Sequence, residues 1–369
     1  MSADRPSSKS DPASRRTQGR PQATSRRGAT MTDIATLAGV SQTTVSLVLN
    51  DALGARLSGH TRQRVLDAAK QLGYRLIRRE PERVSATTAT MIGVMVDEMS
   101  TDPWCAIALD GIREKAWEFG LTVSVAVTKG DANMERAAHA QFLDQPILGL
   151  IYGTIQTRQI APSPAFAGLP TVLLNCHVAD RSLPSIMPGE VLGGRTATER
   201  LIDAGHNRIG LIEGEVWMDA MRDRLKGYRQ ALASHEIPFD AKLVRPGNWE
   251  PSAGYEQAYA LMKLKDPPTA IFCANDLMAL GCFEALKEMG KRIPDDVAVI
   301  GYDDREIAQF MRPALTTILL PHFDMGVLAA EYLIDHAPRP EKRPAQIKVE
   351  CPLVERASVN ASLAVLDQH

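Results

Sequence analysis

The sequence predicts an all-α head joined to an α/β core of two doubly wound, parallel-sheet lobes around a ligand cleft. Three observations carry this. Residues 32–74 hold three short segments whose apolar side chains recur at helical spacing. From Met91 onward, short apolar runs alternate with longer amphipathic segments, as in β–α–β units with parallel strands. That alternation lasts about 265 residues, more than one doubly wound sheet comfortably uses, so two lobes are expected.

Residues 1–29 come first, rich in Ser, Pro, Arg and Gln and nearly free of apolar side chains. They read as a disordered basic tail, because they cannot bury enough surface to offset the entropy of ordering. The head, residues 30–75, follows. Its first helix is expected from about Thr32 to Ala38, with Thr32 as N-cap and Ile34, Leu37 and Ala38 facing inward. The third follows Thr61, with Val65, Leu66, Ala69 and Leu72 as its stripe and Gly73 as its stop.

Between them stands "GVSQTTVSLVLN", Gly39 to Asn50. A glycine corner, a serine cap and a short amphipathic run are the pattern of a DNA-reading helix in a helix-turn-helix. At 100° per residue, Val45, Val48 and Leu49 share an arc of about 100° and form the buried stripe. Thr43, Ser46 and Leu47 face away, and Gln42 lies on the shoulder. Ser41 caps the helix beside its free N–H groups, a place for a phosphate. Gln42 matches adenine N6/N7, Thr43 suits either polar edge, and Leu47 offers only contact with a thymine methyl. The expected DNA-contacting set is Thr32, Ser41, Gln42, Thr43, Ser46, Leu47 and Asn50. A protein–protein module of three helices is the competing reading.

Charge favours DNA. The chain carries a net −2, but residues 1–83 hold 15 Lys/Arg against 7 Asp/Glu, a net +8. The remainder carries 27 basic and 37 acidic residues, so only the head is suited to a polyanion. Seven of the basic groups lie in the first 27 residues, where a solubilising tail is the plainer explanation.

Residues 76–90 are polar, with Pro81 and several threonines, and read as a linker. The core, residues 91–357, has expected strands at Met91–Val96, Leu121–Val127, Ile147–Tyr152, Thr171–Asn175, Arg208–Ile212, Thr269–Cys273 and Val297–Gly301. Expected helices are Ile107–Phe119, Arg195–Ala204, Arg222–Ser234, Asn275–Met289 and Asp324–Asp335. Residues 358–369 form a tail too short for an oligomerising heptad array. In such folds ligands sit beyond the carboxyl ends of the strands. Asn275 and Asp303 fall at strand ends, and Arg224 opens a helix, so an amide, a carboxylate and a guanidinium are available to vicinal hydroxyls. Trp104 and Trp249 offer flat apolar faces to a sugar ring.

The five cysteines are scattered, odd in number and without a C-x-x-C pair, which favours buried thiols over disulfides or zinc. No apolar leader and no run of about 18 apolar residues occurs, so the expected location is cytoplasmic, without a membrane partner. No G-x-S-x-G, P-loop or H-E-x-x-H is present, Asp303 and Asp304 are expected to point apart, and neither catalysis nor a cofactor is predicted.

The run A-x-x-A-G-V-S-x-x-T-V-S-x-x-L-N within "MTDIATLAGVSQTTVSLVLND", followed by "TRQRVLDAAKQLGY", resembles the head of the LacI family of bacterial transcriptional regulators. The segments "AGHNRIGLI", "DRLKGYRQAL", "PTAIFCANDLMALG", "IPDDVAVIGYDD" and "PALTTI" resemble the effector-binding core of the same family, itself similar to periplasmic sugar-binding proteins. The resemblance implies base reading by Gln42, Thr43 and Leu47, where Leu47 departs from the basic or polar residue of many members. It implies a homodimer on a near-palindromic double-stranded operator. It also implies a hinge helix wedging a leucine into the minor groove. Here Leu76 and Val84 are weak counterparts and Glu80 and Glu82 are unfavourable; an unstructured linker is the alternative. Cleft contacts carry over to Trp104, Asn175, Arg224, Trp249, Asn275, Asp303 and His322, although a surface histidine is an equal reading of the last. Asp304 is expected to be structural, and Gly205-His206 a helix stop. The implied function is repression controlled by a small effector, a sugar or sugar derivative first and a purine or other metabolite second. A solute-binding sensor without a DNA role is the competing class.

Overall fold

The computed structural model describes residues 31–40, 44, 45, 48, 59–72, 89–99, 104–338 and 343–359. They fall into two compact units divided between Glu80 and Pro81.

In the head, α1 (Met31–Ala38) and α2 (Gly59–Gln71) bracket a segment in which Thr44, Val45 and Val48 are helical. Ile34, Ala35, Ala38, Val45, Val48, Val65, Ala68 and Ala69 form its buried core. Four expectations fail here, at Leu37, Leu66, Leu72 and Thr32. Leu37 is 47% exposed and Leu66 is 41% exposed, their places being taken by Ala35 and Ala68. The reason is angular: Val65, Ala68 and Ala69 close one stripe, and at 100° per residue Leu66 sits about 60° beyond its edge. Leu72, also exposed, lies beyond the end of α2. Gly39 has φ +61°, so the expected glycine corner is real, and Arg64 binds its carbonyl at 3.2 Å and that of Ala38 as well. Thr32 stands one residue inside α1 and not at its N-cap.

The second unit begins with β1 (Met91–Val96), α3 (Trp104–Glu118), β2 (Thr122–Val127), α4 (Ala132–Leu143), β3 (Ile147–Ile160), β4 (Thr171–Val178) and β5 (Ser185–Pro188). The chain then builds a second lobe from α5 (Glu190–Asp203), β6 (Ile209–Ile212), α6 (Asp219–Ser234), β7 (Val244–Arg245), α7 (Pro251–Met262), β8 (Ala270–Cys273), α8 (Asp276–Glu288), β9 (Ala298–Ile300) and α9 (Glu306–Phe310). It returns through β10 (Thr317–Ile318) to α10 (His322–His336) and β11 (Gln346–Val349), then crosses a third time to β12 (Leu353–Val354).

The first sheet has the order β11-β5-β4-β3-β1-β2 and the second β7-β6-β8-β9, all pairs parallel, while β10 and β12 form a separate antiparallel pair. Strands β6 and β8 are buried at every residue, as parallel strands covered on both faces must be. On the first sheet, α3 and α10 supply one apolar cluster through Ile112, Ala116, Met325 and Leu333. On its other face α4 packs Ala138 and Phe142 against Met95 and Leu150. The second lobe has a single large cluster that includes Tyr228, Phe272, Phe283 and Tyr302.

The expected strands and helices of the core are present. Strand β3 runs to Ile160 and β4 to Val178, past the expected ends, through a register shift between Gly153 and Arg158. Helices α4, α7 and α9 and the short strands β5, β7, β10, β11 and β12 were not anticipated.

Candidate functional site

Each sheet reverses its strand order once, between β1 and β3 in the first and between β6 and β8 in the second. Crevices open beyond the carboxyl ends of strands at such switch points. The segments leaving these strands line a shared cleft of about 310 Å³. An apolar cavity of about 410 Å³ lies elsewhere, where β4 and β5 begin, but has neither carboxylate nor guanidinium in its lining. The polar cleft is therefore the candidate site.

All seven residues expected in the cleft line it: Trp104, Asn175, Arg224, Trp249, Asn275, Asp303 and His322. Their positions follow from the fold. Trp104 is the first residue of α3 and His322 of α10, Asn275 is the N-cap of α8, and Asp303 follows β9. Glu190, Glu215, Asn248, Arg305 and Thr157 also line the cleft and were not anticipated. Glu190 carried little signal, since only Ile186 and Met187 form an apolar stretch before it and its partner stands 34 residues away.

Arg224 is 3% exposed. Its Nε and Nη2 donate to the two oxygens of Glu190 at 2.9 and 3.0 Å, and its Nη1 donates to the Ala274 carbonyl. Asp303 lies 3.7 Å from Nη1, and the Tyr302 ring stacks under the guanidinium at 3.6 Å. Burial works against the arginine's charge, but Glu190, Tyr302 and Asp303 together more than offset it, so the group's pKa is raised and it stays ionised.

Asp303 has φ +110° and Asp304 φ +54°, conformations that cost about 1–3 kcal/mol each in non-glycine residues and concentrate at ligand sites. The two carboxylates diverge. Asp303 meets Arg224 and Arg305, whereas Asp304 accepts from Arg356 at 2.6 Å. Asp276, beneath them, accepts the Thr317 hydroxyl at 2.6 Å and the Arg305 N–H at 2.7 Å. Its pKa is pushed well up by burial and by the charge of Asp303.

Asn175 does not end its strand. At φ +59° it donates to the carbonyls of Thr154 and Ile155 and accepts from Thr157 at 2.6 Å, holding the irregular part of β3 in shape. His322 is no surface histidine: it is 5% exposed and stacks on Trp104 at 4.9 Å with 13° between planes. Burial pushes its pKa down to about 4, so the ring is neutral. Its Nδ1 and the Trp249 Nε1 are buried without a protein partner. Gly205, at φ +93°, ends α5 as expected, and His206 bonds Thr269 at 2.9 Å.

Among the described residues no group of three or more His, Cys, Asp or Glu is arranged to hold a metal ion, and no helix is long and apolar enough to cross a membrane. The DNA-reader positions Ser41, Gln42, Thr43, Ser46, Leu47 and Asn50, and the linker positions Leu76 and Val84, lie outside the described residues.

A helical head carried with a two-lobed cleft core defines a class, the DNA-binding regulator with an effector-binding core. The comparisons agree. Residues 30–76 match the model of the bacterial regulatory proteins of the lacI family, and residues 198–359 that of the periplasmic binding protein-like domain. The chain is 31% identical to the ribose operon repressor of Haemophilus influenzae, over 90% of this chain and 98% of that protein. It is 33% identical to the ribose operon repressor of Escherichia coli K12, over 89% and 99%. Among solved structures it is similar to the lac repressor dimer bound to operator and the anti-inducer ONPF, with TM-score 0.63, 29% identity and coverage of 91% and 100%. It is similar also to the complex of the transcriptional regulator CelR with cellobiose, with TM-score 0.62, 30% identity and coverage of 89% and 99%. The chain belongs to the LacI family of bacterial transcriptional regulators, and is a DNA-binding regulator and not an enzyme.

Proposed function

We propose that this regulator is a cytoplasmic homodimeric repressor of a near-palindromic operator, released or engaged by a sugar or sugar derivative bound in the cleft. The observation that carries the ligand class is the convergence of Arg224, Asn275, Asp303 and Trp249 from separate elements onto one polar cleft. Carboxylate and guanidinium N–H groups serve vicinal hydroxyls, and the indole serves the C–H face of a ring. Relatives named for the ribose operon and a solved neighbour holding cellobiose support the sugar class. Exposed Trp117, and Val125 and Val127 on the edge strand β2, support a self-association face.

In this reading Gln42, Thr43 and Leu47 read bases, with Thr32, Ser41, Ser46 and Asn50 on the same interface, and residues 76–90 join head to core. Effector closing the cleft shifts a two-state equilibrium between lobe arrangements, and this changes the affinity for operator. The test is fluorescence anisotropy on a palindromic duplex, at two salt concentrations, with a panel of sugars. Salt-sensitive, sequence-selective binding altered by one sugar is expected, and Asp303→Asn should keep DNA binding while losing the sugar response. Equal binding to all duplexes would remove the repressor reading. Loss of both functions in Asp303→Asn would make Asp303 a fold element.

A further inference from the structure

Arginine binds anions through two parallel N–H groups, and the face bearing Nε–H and Nη2–H is the one that carboxylates and phosphates take. In the cleft that face is already filled. Both Glu190 oxygens sit on it, at 2.9 and 3.0 Å, and Nη1 is committed to the Ala274 carbonyl with Asp303 close by. Of five N–H donors, three are spent within the protein.

The pair is also rigid. Glu190 is 1% exposed and opens α5, which packs along α6, the helix that carries Arg224. A Cβ on Gly227 would stand 2.1 Å from the Val191 carbonyl oxygen, and one on Gly194 would stand 2.5 Å from that of Arg224. Only glycines allow the two helices to approach this far, and the approach presses Glu190 against Arg224. The cleft lining is net acidic: the carboxylates of Glu190, Glu215, Glu250 and Asp303 outnumber the guanidiniums of Arg224 and Arg305.

We propose that Glu190 sets the charge selectivity of the cleft, keeping Arg224 as a donor to uncharged hydroxyls and shutting out anionic effectors such as sugar phosphates and sugar acids. This rests on the reading of the cleft as the effector site. The ligand class it names is neutral, or cationic through an amino group.

The test uses the full chain with inorganic phosphate as probe, read by calorimetric titration and by thermal midpoint against chloride of matched ionic strength. Wild type is expected to take up no phosphate saturably. Glu190→Gln, which keeps the shape and removes the charge, should bind it at least about tenfold more tightly, and Arg224→Gln on that background should abolish the gain. Saturable uptake by wild type that Arg224→Gln removes would overturn the proposal, as would a folded Glu190→Gln that takes none. Should Glu190→Gln fail to fold, wild type decides alone: a saturable phosphate shift overturns the proposal, and a shift no larger than that of chloride supports it. A sugar panel that yields no ligand counts against the sugar reading and not against the role of Glu190.

Discussion

The side-chain amide of Asn275 donates to the backbone carbonyl of Trp249 at 2.9 Å, while its oxygen accepts the N–H of Met278 at 2.8 Å. One residue thus caps α8 and fixes a tryptophan whose backbone sits at φ +68°. Asn275→Ala should lose both. The cap is worth about 1 kcal/mol of stability, measurable by urea denaturation. The freed Trp249 should weaken effector binding more than that figure explains, so a loss of affinity no greater than the loss of stability would confine Asn275 to capping.

The cleft was more legible in the sequence than the fold around it. Asn275 and Asp303 announce themselves because an apolar run ends just before each, which puts polar side chains at carboxyl ends of strands whatever the exact boundaries. Glu190 was invisible as a partner of Arg224, since nothing in a one-dimensional pattern couples positions on two different helices. The two-residue strands β7, β10 and β12 are too short for any periodicity. Helix α4 hid for another reason: only Glu135, Ala138 and Phe142 of it are buried, too few to draw a stripe. Leu37 and Leu66 misled the reading of the head, where alanines and not leucines fill a core with little room.

Removing one member of the Arg224–Glu190 pair should hurt more than removing both. Arg224→Met leaves the Glu190 carboxylate buried and unpaired, which costs about 3–5 kcal/mol. The double variant Arg224→Met/Glu190→Met replaces a buried pair by apolar volume and should recover most of that loss. Urea midpoints for the four proteins of this cycle measure the coupling. Simple additivity of the two single losses would mean that the pair contributes nothing beyond its separate parts.

In the head, Gln42→Ala should flatten the preference for one base pair in each half-site by about 1–3 kcal/mol while leaving the salt dependence of binding in place. Leu47, restricted to methyl contact, should tolerate Leu47→Ala with a smaller change, seen only where the site carries thymine. Competition among single-base operator variants reads both. An unchanged preference profile for Gln42→Ala would take that residue out of the reader set.

The burial of His322, stacked on Trp104, should make the core sensitive to acid. In the folded protein, burial holds the His322 pKa down at about 4, against 6.5 for an ordinary histidine. Between these values the unfolded chain binds a proton that the folded one refuses, so falling pH favours unfolding. The contribution is complete above pH 6.5 and is lost progressively as pH falls toward 4. Between pH 7 and pH 5 the loss is about 2 kcal/mol, since each unit of difference is worth about 1.4 kcal/mol. His322→Phe keeps a flat ring against Trp104 and has nothing to protonate. Urea denaturation at the two pH values should therefore show a drop in wild type that is smaller by about that amount in His322→Phe. Equal drops in the two proteins would place the acid sensitivity in other groups.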